Sequence, residues 1–509
     1  MREDWIETKL DEIVIKMTNG SSAKQHNEKI GLPISRIETI WNEGIDFERV
    51  KYIEENDKEF IEKYSLQNND ILLSHINSDS HLGKTAIYKT KYGTLIHGIN
   101  LLLLRPSKEL NADFLNYQFK HIRFRGDFVA VAQRAVNQSS INQQKLKQFD
   151  IKLAPLLEQK AIVAKIEQLF SELDNAVANL KTAQAKLKIY RQAVLKKAFE
   201  GELTKEWREK QTNLPTADEL LEQIKKEREV HYKQQLEEWK QAVKEWEENG
   251  QNSKKPSKPK QYKEKIEKFE YTKTKIPENW NWTAFGKLFL TSPQNGIYKP
   301  ASDYGTGTYI IRIDDFYDGK LIKKNGFKRL RLTDDEAKIY GVEENSIFIN
   351  RVNSMEYLGK CALVEKLDEN VVFESNIMKI NTMLVNNKYL TIFLSSRKGM
   401  QNLQINAKQA VNQASINQTD VSSTLVPLCS LEEQNQIVQE IESRLSVCDK
   451  IEETIKTTLA KSEALRQSIL KKAFEGKLLS AQELENIKNH PEYESAEALL
   501  KRIKKERTK

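Results

Sequence analysis

The stretch RQAVLKKAFEGEL, residues 191–203, returns as RQSILKKAFEGKL at residues 466–478, a fixed 275 positions later. AVNQSSINQ at 135–143 and AVNQASINQ at 410–418 share that offset, and the register holds without a gap from Ala135 to Leu203. Nearly half of the paired positions are identical, which chance does not sustain over such a length, so the chain is an internal duplication. Upstream the offset becomes 276: LGKTA at 82–86 pairs with LGKCA at 358–362, and Arg36 in ISRIETI pairs with Arg312 in IIRIDDF. Trp5 pairs with Trp280 near each start, and ADELLEQIKKER at 217–228 is echoed by AEALLKRIKKER at 496–507. Two copies of one unit fill nearly the whole sequence.

At 509 residues the length prior points to three or four domains, and the duplication makes that two pairs. The net charge of +8 fits an ordinary solvated surface, but its distribution is uneven. Residues 81–150 have a clear excess of Lys and Arg whereas residues 1–80 are acidic, which gives the first unit the basic side that a phosphate-binding face requires. No apolar run reaches membrane-spanning length and MREDWIETKL has no signal-peptide core, so the expectation is a soluble cytoplasmic protein. Cys361, Cys429 and Cys448 form no CxxC pair and face Thr85, Ala154 and Leu173 in the first copy. That pattern fits a reducing compartment without a disulfide frame or zinc site.

The fold class expected is α+β with an internal pseudo-twofold duplication. Short apolar runs such as DILLSHI and TLIHGINLLLLRP, punctuated by Gly, Asn and Ser and followed by a helical pattern from Asn111, predict a small mixed α/β domain over residues 1–150. From Pro155 the period changes. Ile166, Leu173, Leu180, Leu187 and Val194 recur every seven residues, with Leu169, Ala176, Ala183 and Tyr190 as the alternate set three residues later. In the second copy the seam is Ile441, Cys448, Ile455, Ser462 and Ile469, with Arg444, Ile451, Thr458 and Leu465 as alternates. A helix of about 45 residues would be about 65 Å long, and one with an apolar stripe needs a partner. Its own duplicate is the obvious one, packed antiparallel as a symmetric spacer, with Gly201 and Gly476 closing the two helices. Residues 217–248 read as a further charged helix, and QNSKKPSKPKQYKEK at 251–265 as a Lys/Pro linker, either solvated or touching DNA.

Known catalytic patterns are missing. There is no GxxxxGK[ST] loop, no HExxH and no Cys/His cluster at metal-ligand spacing. His75, His81 and His97 face Arg351, Tyr357 and Phe373 in the second copy, so they read as structural or surface residues rather than a duplicated site. The chain is expected to recognise rather than to react, with no catalytic residue and no metal.

The combined motifs resemble the specificity subunit of type I restriction-modification systems. The matching elements are the W-x-x-T-x-L start at Trp5, NNDILLSHINSD at 68–79, ENSIFINRVNSM at 344–355, and PLLEQKAIVAKIEQLF at 155–170 with LEEQNQIVQEIESRL at 431–445. The LKKAFEG ending is also typical of the family. The second LEEQ element lacks the family's proline just before its leucine, and the first copy has His75 where the family pattern has Arg.

The resemblance implies target-recognition domains at 1–152 and 276–427, conserved helical regions at 153–228 and 428–509, and a charged helical and Lys/Pro linker at 229–275. Each recognition domain would read one half of a split target in double-stranded DNA, and the helices would set the gap. Two methyltransferase subunits would bring S-adenosylmethionine and base flipping, and restriction subunits would bring ATP and magnesium. The spacer residues implied in partner and coiled-coil contacts are Ile166, Leu173, Leu180, Leu187, Val194, Ile441, Ile455, Leu465 and Ile469.

Residues with suitable donors or acceptors for phosphates and base edges are Arg36, Ser78, Lys84, Arg125 and Gln138 in the first unit. In the second they are Arg312, Arg351, Ser354, Lys360 and Gln413. Positions repeated in both copies cannot by themselves read two different half-sites, so they fit helix caps, phosphate contacts or domain anchors better than base reading. Base readers are expected where the copies differ, for example SSAKQHNEK at 21–29 against SPQNGIYKPASDYG at 292–305. Two other readings are a duplicated coiled-coil scaffold, or a stand-alone DNA-binding protein with no methyltransferase partner. A nuclease built on Asp314 and Asp315 would need a second metal motif, which the sequence does not offer.

Overall fold

In the computed structural model the chain divides into two compact units, residues 1–182 with 454–509, and residues 183–453. The structure describes residues 2–508 apart from 43, 91–92, 136–137, 251–254, 272–273, 318, 323–325, 368 and 412. Each unit combines one α/β domain with one half of each long helix, because the helices Leu156–Phe199 and Leu431–Phe474 both cross the division.

The α/β domain of the first unit is built on a sheet with strand order Val14–Asn19, Leu102–Pro106, Ile71–Leu73, Thr85–Ile87. All three residues of Ile71–Leu73 are buried, as a central strand covered on both faces demands. The second unit repeats this arrangement with Gln294–Asn295, Ile377–Ile380, Ile347–Asn350 and Cys361–Leu363, and extends it by the hairpin Gly319–Leu321 and Phe316–Tyr317. In both units a helix packs on the sheet, Ala112–Arg125 and Asn387–Ser395. Each is capped by an Asn side chain: Asn111 accepts from the Phe114 N–H and Asn386 from the Tyr389 N–H.

The L-x-E-Q motif at the start of each long helix, LLEQ at 156–159 and LEEQ at 431–434, ties these parts together. Gln159 donates to the Ala154 carbonyl and accepts from the Asn111 N–H, joining the last strand to the cap of the sheet helix. Gln434 does the same with Cys429 and Asn386. The neighbouring glutamate takes the indole N–H of the first tryptophan, Glu158 from Trp5 at 3.0 Å and Glu433 from Trp280 at 2.9 Å. The neutralising cation has different origins: Arg2 pairs with Glu158 at 2.6 Å, whereas Arg208 pairs with Glu433, which also accepts from the Thr204 hydroxyl.

Within each unit the two long helices run antiparallel. In the first, Phe170 and Asp174 meet Arg466 while Ile162 and Ile166 share a core cluster with Ile469, Leu470 and Phe474. In the second, Arg191 pairs with Asp449 and Glu452, and Val194 and Ala198 share a cluster with Ile437 and Ile441. The seam uses both spacings: Leu169, three residues after Ile166, packs partly buried against the same cluster as Phe170, four residues after it. Phe170, Ala198 and Leu445 pack inward, while Tyr190, Arg444, Thr458 and Ala176 face solvent and Ile451 and Leu465 are 43% and 50% exposed. Leu465 lines the open edge of a groove with Leu169, Leu173 and Ile469. The heptad spacing alone admits both settings, and the facing helix selects which positions close the seam.

The charged helix Ala217–Glu248 buries only Ala217, Leu220 and Ile224, all against the second unit's core, and its echo Ala496–Arg507 buries Ala496, Leu499 and Ile503 in the first unit. This helix runs through 228/229, so no structural boundary falls there. The Lys/Pro segment beyond it returns along the helix: Trp239 donates to the Pro256 carbonyl, Lys258 and Lys255 stack over Trp239 and Trp246, and the Tyr262 hydroxyl donates to Gly286. It is pinned rather than free; residues 251–254 of that linker lie outside the described residues.

Gly201 and Gly476 end the long helices at φ +75° and +73°, where a side chain is strained. A Cβ on Gly201 would lie 2.4 Å from the rigid Pro277 ring, but on Gly476 it would meet the flexible Arg2 side chain. Gly476→Ala is expected to cost about 1–2 kcal/mol from the backbone alone. Gly201→Ala is expected to cost a further ~1–3 kcal/mol for the overlap, read as a larger drop in urea midpoint.

Candidate nucleic-acid interface

The amide-rich repeat folds as a hairpin beside a short strand in each unit. Gln138–Ser140 pairs with Gln133–Ala135 and with Ile76–Asn77, and Gln413–Ser415 pairs with Lys408–Ala410 and Val352–Asn353. Most of the repeated residues are structural. Ile141 and Ile416 are buried with N–H groups bonded to the carbonyls of His75 and Arg351. Asn142 and Asn417 cap the next helix through Lys145 N–H and Asp420 N–H. Asn137 and Asn412 lie outside the described residues. Among the described repeated residues, Gln138 and Gln413 are exposed at matching positions of the two hairpins, whose other strands expose Gln133 and Arg134 in one and Lys408 and Gln409 in the other.

The ladder register puts Ser139 against Asn77 and Ala414 against Asn353, which brings Ser78 beside Gln138 and Ser354 beside Gln413. From these serines the chain makes a turn into the shared Leu-Gly-Lys. Leu82 N–H and Leu358 N–H return to the Ser78 and Ser354 carbonyls, and Leu82 and Leu358 are buried. Lys84 and Lys360 follow. Burial and the Arg123 charge beside it hold the Lys84 ammonium below the usual lysine range, while Lys360 lies 3.5 Å over Tyr317 and 4.0 Å over Tyr357. Arg351 donates to the Ser375 carbonyl and Arg312 pairs with Glu374, so both bind the same turn of the second unit.

Three of the sequence-selected residues thus gather in the first unit, Ser78, Lys84 and Gln138, and five in the second, Arg312, Arg351, Ser354, Lys360 and Gln413. Arg36 caps a short helical turn and pairs with Glu38. Arg125 ends the sheet helix, pairs with Asp127 and lines a groove with His121 and Phe474. Sequence reasoning missed Arg123, which donates to the Ser80 carbonyl, and Arg134, 3.7 Å from Asp79. It also missed Tyr317 and Tyr357, which carry Lys360. The variable loop 21–29 is held by His26 on Tyr52, and in 292–305 Lys299 pairs with Glu336 while Tyr298 is 80% exposed.

His75 and His97 are both buried. Burial pushes the His97 imidazole down to about 4 against the opposing Leu101 carbonyl, and burial also lowers His75. Unfolded histidines take up protons near 6.5, so stability is fully present above that pH and lost as the pH falls towards 4. The melting temperature of the first unit is expected to drop between pH 7 and pH 5, and His97→Gln to flatten that slope.

No group of three or more His, Cys, Asp or Glu side chains among the described residues is placed to hold a metal ion. Asp315, offered above for a nuclease, instead accepts the Arg312 N–H. The fold and the site define a duplicated two-unit protein that presents the same hairpin and turn twice with different exposed side chains.

The description type I restriction modification DNA specificity domain matches this chain twice, over residues 2–182 and 277–461, and the chain belongs to that family. It is 44% identical over 198 residues to a putative type I restriction enzyme MjaX specificity subunit of Methanocaldococcus jannaschii, a match covering 39% of this chain and 46% of that one. The chain therefore spans less than half of that relative in the match. It is 26% identical over 482 residues to the type I restriction enzyme EcoKI specificity subunit of Escherichia coli, covering 94% of this chain and 89% of the other. A chain from a solved type I R-M system shares the fold, with a TM-score of 0.64 at 14% identity over 94% of this chain and 99% of its own. No described helix is long and apolar enough to cross a membrane.

Proposed function

We propose that this chain is the DNA specificity subunit of a type I restriction-modification complex, each unit reading one half of a split double-stranded target. The observation that carries this reading is the repeated hairpin and turn, identical in frame and different in exposed side chains, as two different half-sites require. Shared residues such as Gln138 and Gln413 then hold phosphates, and differing ones read base edges. The differing loops 21–29 and 292–305 remain further candidates for that role.

The chain itself is non-catalytic in this reading and holds no cofactor. The antiparallel helices dock two methyltransferase subunits, which supply S-adenosylmethionine, and restriction subunits supply the ATP- and magnesium-dependent steps in the cytoplasm. A map of methylated bases in cells with and without this gene tests the proposal. Loss of one gapped, bipartite motif is the expected result. An unchanged map, together with DNA binding by the purified complex that is insensitive to salt, would defeat it, since phosphate contacts impose a steep salt dependence.

A further inference from the structure

The frame N-S-x-x-x-L-G-K occurs at 77–84 and at 353–360, and its three variable positions are Asp79–Ser80–His81 in one unit and Met355–Glu356–Tyr357 in the other. All six residues are exposed, whereas the Leu and Gly that follow are buried and the glycines, at φ +73° and +80°, fix the same turn in both units. The turn adjoins the Ser and Gln pair of the interface just described.

A second difference tracks the first. Within the otherwise identical AVNQxSINQ repeat only one position changes, Ser139 to Ala414. The Ser139 hydroxyl donates to the Asp79 carboxylate, the variable position nearest the hairpin. Where that carboxylate becomes Met355, the hairpin has lost the hydroxyl, and the Gln409 amide lies against the Met355 sulfur instead. The outer residues also differ in kind. Ser80 and His81 bond each other through Oγ and Nδ1 at 2.9 Å, whereas Tyr357 offers a ring that Lys360 covers at 4.0 Å.

We infer that these three-residue turns set which half-site each unit reads, with Ser139 as a positioning residue beneath the first. The inference rests on the DNA-specificity reading above. The polar turn of the first unit presents donors and acceptors for base edges, with Asp79 held in place by Ser139. The second presents methionine and tyrosine surface, which suits the thymine methyl group in the major groove.

The test converts the first turn to the second unit's chemistry, D79M/S80E/H81Y/S139A, in the full chain expressed with its methyltransferase subunits, and reads the methylated motif by sequencing. The expected outcome is a changed first half-site with the second half-site and the gap unaltered. A motif unchanged in both halves overturns the inference, while absence of any bipartite motif with the wild-type chain instead sinks the reading on which it rests. Should the fourfold variant methylate nothing, His81→Ala decides through binding of the wild-type and variant complexes to two duplexes, one with the native and one with a scrambled first half-site. A loss of about tenfold or more in the preference for the native half supports it. An unaltered preference overturns it.

Discussion

Replacing Glu433 by alanine is expected to destabilise the second unit by about 3–5 kcal/mol, the scale for breaking a buried ion pair from one side. Its carboxylate is fully buried and accepts from the Trp280 indole, the Thr204 hydroxyl and the Arg208 guanidinium. All three donors belong to segments that the long helix must meet: Trp280 to the start of the domain, Thr204 to the turn after Gly201, and Arg208 to the short helix Lys205–Glu209 that follows it. Removing the acceptor strands the buried Thr204 hydroxyl and leaves the Arg208 charge without its partner. Glu433→Gln retains an acceptor but not the charge, so a smaller loss is expected. Urea unfolding gives the magnitude, and hydrogen exchange at residues 199–210 and 431–437 gives the place. Exchange there unchanged by Glu433→Ala would show that the carboxylate does not hold the junction.

Deleting residues 495–509 is expected to remove about 3–6 kcal/mol from the first unit. Leu499 and Ile503 are fully buried in the cluster formed by Leu10, Ile13 and Leu110, and each such side chain is worth about 1.5–3 kcal/mol. The accompanying pairs, Arg507 with Asp11 and Lys504 with Glu12, are partly exposed and add little. A chain lacking this helix should therefore melt early in its first unit and become sensitive to proteases between residues 1 and 150. The double variant Leu499→Ala/Ile503→Ala should reproduce most of that effect with every ion pair intact. If it melts like the wild type, the apolar contribution assigned to the helix is wrong.

Much of this organisation is legible in the chain itself. The register of the repeat reveals the duplication and the heptads reveal two long helices, while the shared NQxSINQ element leaves helix caps, phosphate contacts and domain anchors open until the structure buries Ile141 and makes Asn142 a cap. The short apolar run DILLSHI, bounded by Asn and Ser, marks the strand Ile71–Leu73. The seam was less legible: Leu465 fits an apolar heptad yet is half exposed, because periodicity fixes one row of positions and leaves the side of the second row open. Nor did the sequence show that Arg125 pairs with Asp127 at the end of its helix.

What the sequence by itself determined is whatever is periodic or repeated: two copies, their strands and helices, the glycine stops and the shared frame of the interface. Local backbone preference and the spacing of apolar residues dictate these, and both are properties of neighbouring positions. The tertiary structure alone decided the pairings between distant positions. It made Arg2 the cation for Glu158 but Arg208 the cation for Glu433, placed the last helix in the first domain's core, and set Ser139 under Asp79 but Ala414 beside the Met355 turn. Burial and hydrogen bonding act through space, and no spacing along the chain encodes which buried donor will find which acceptor.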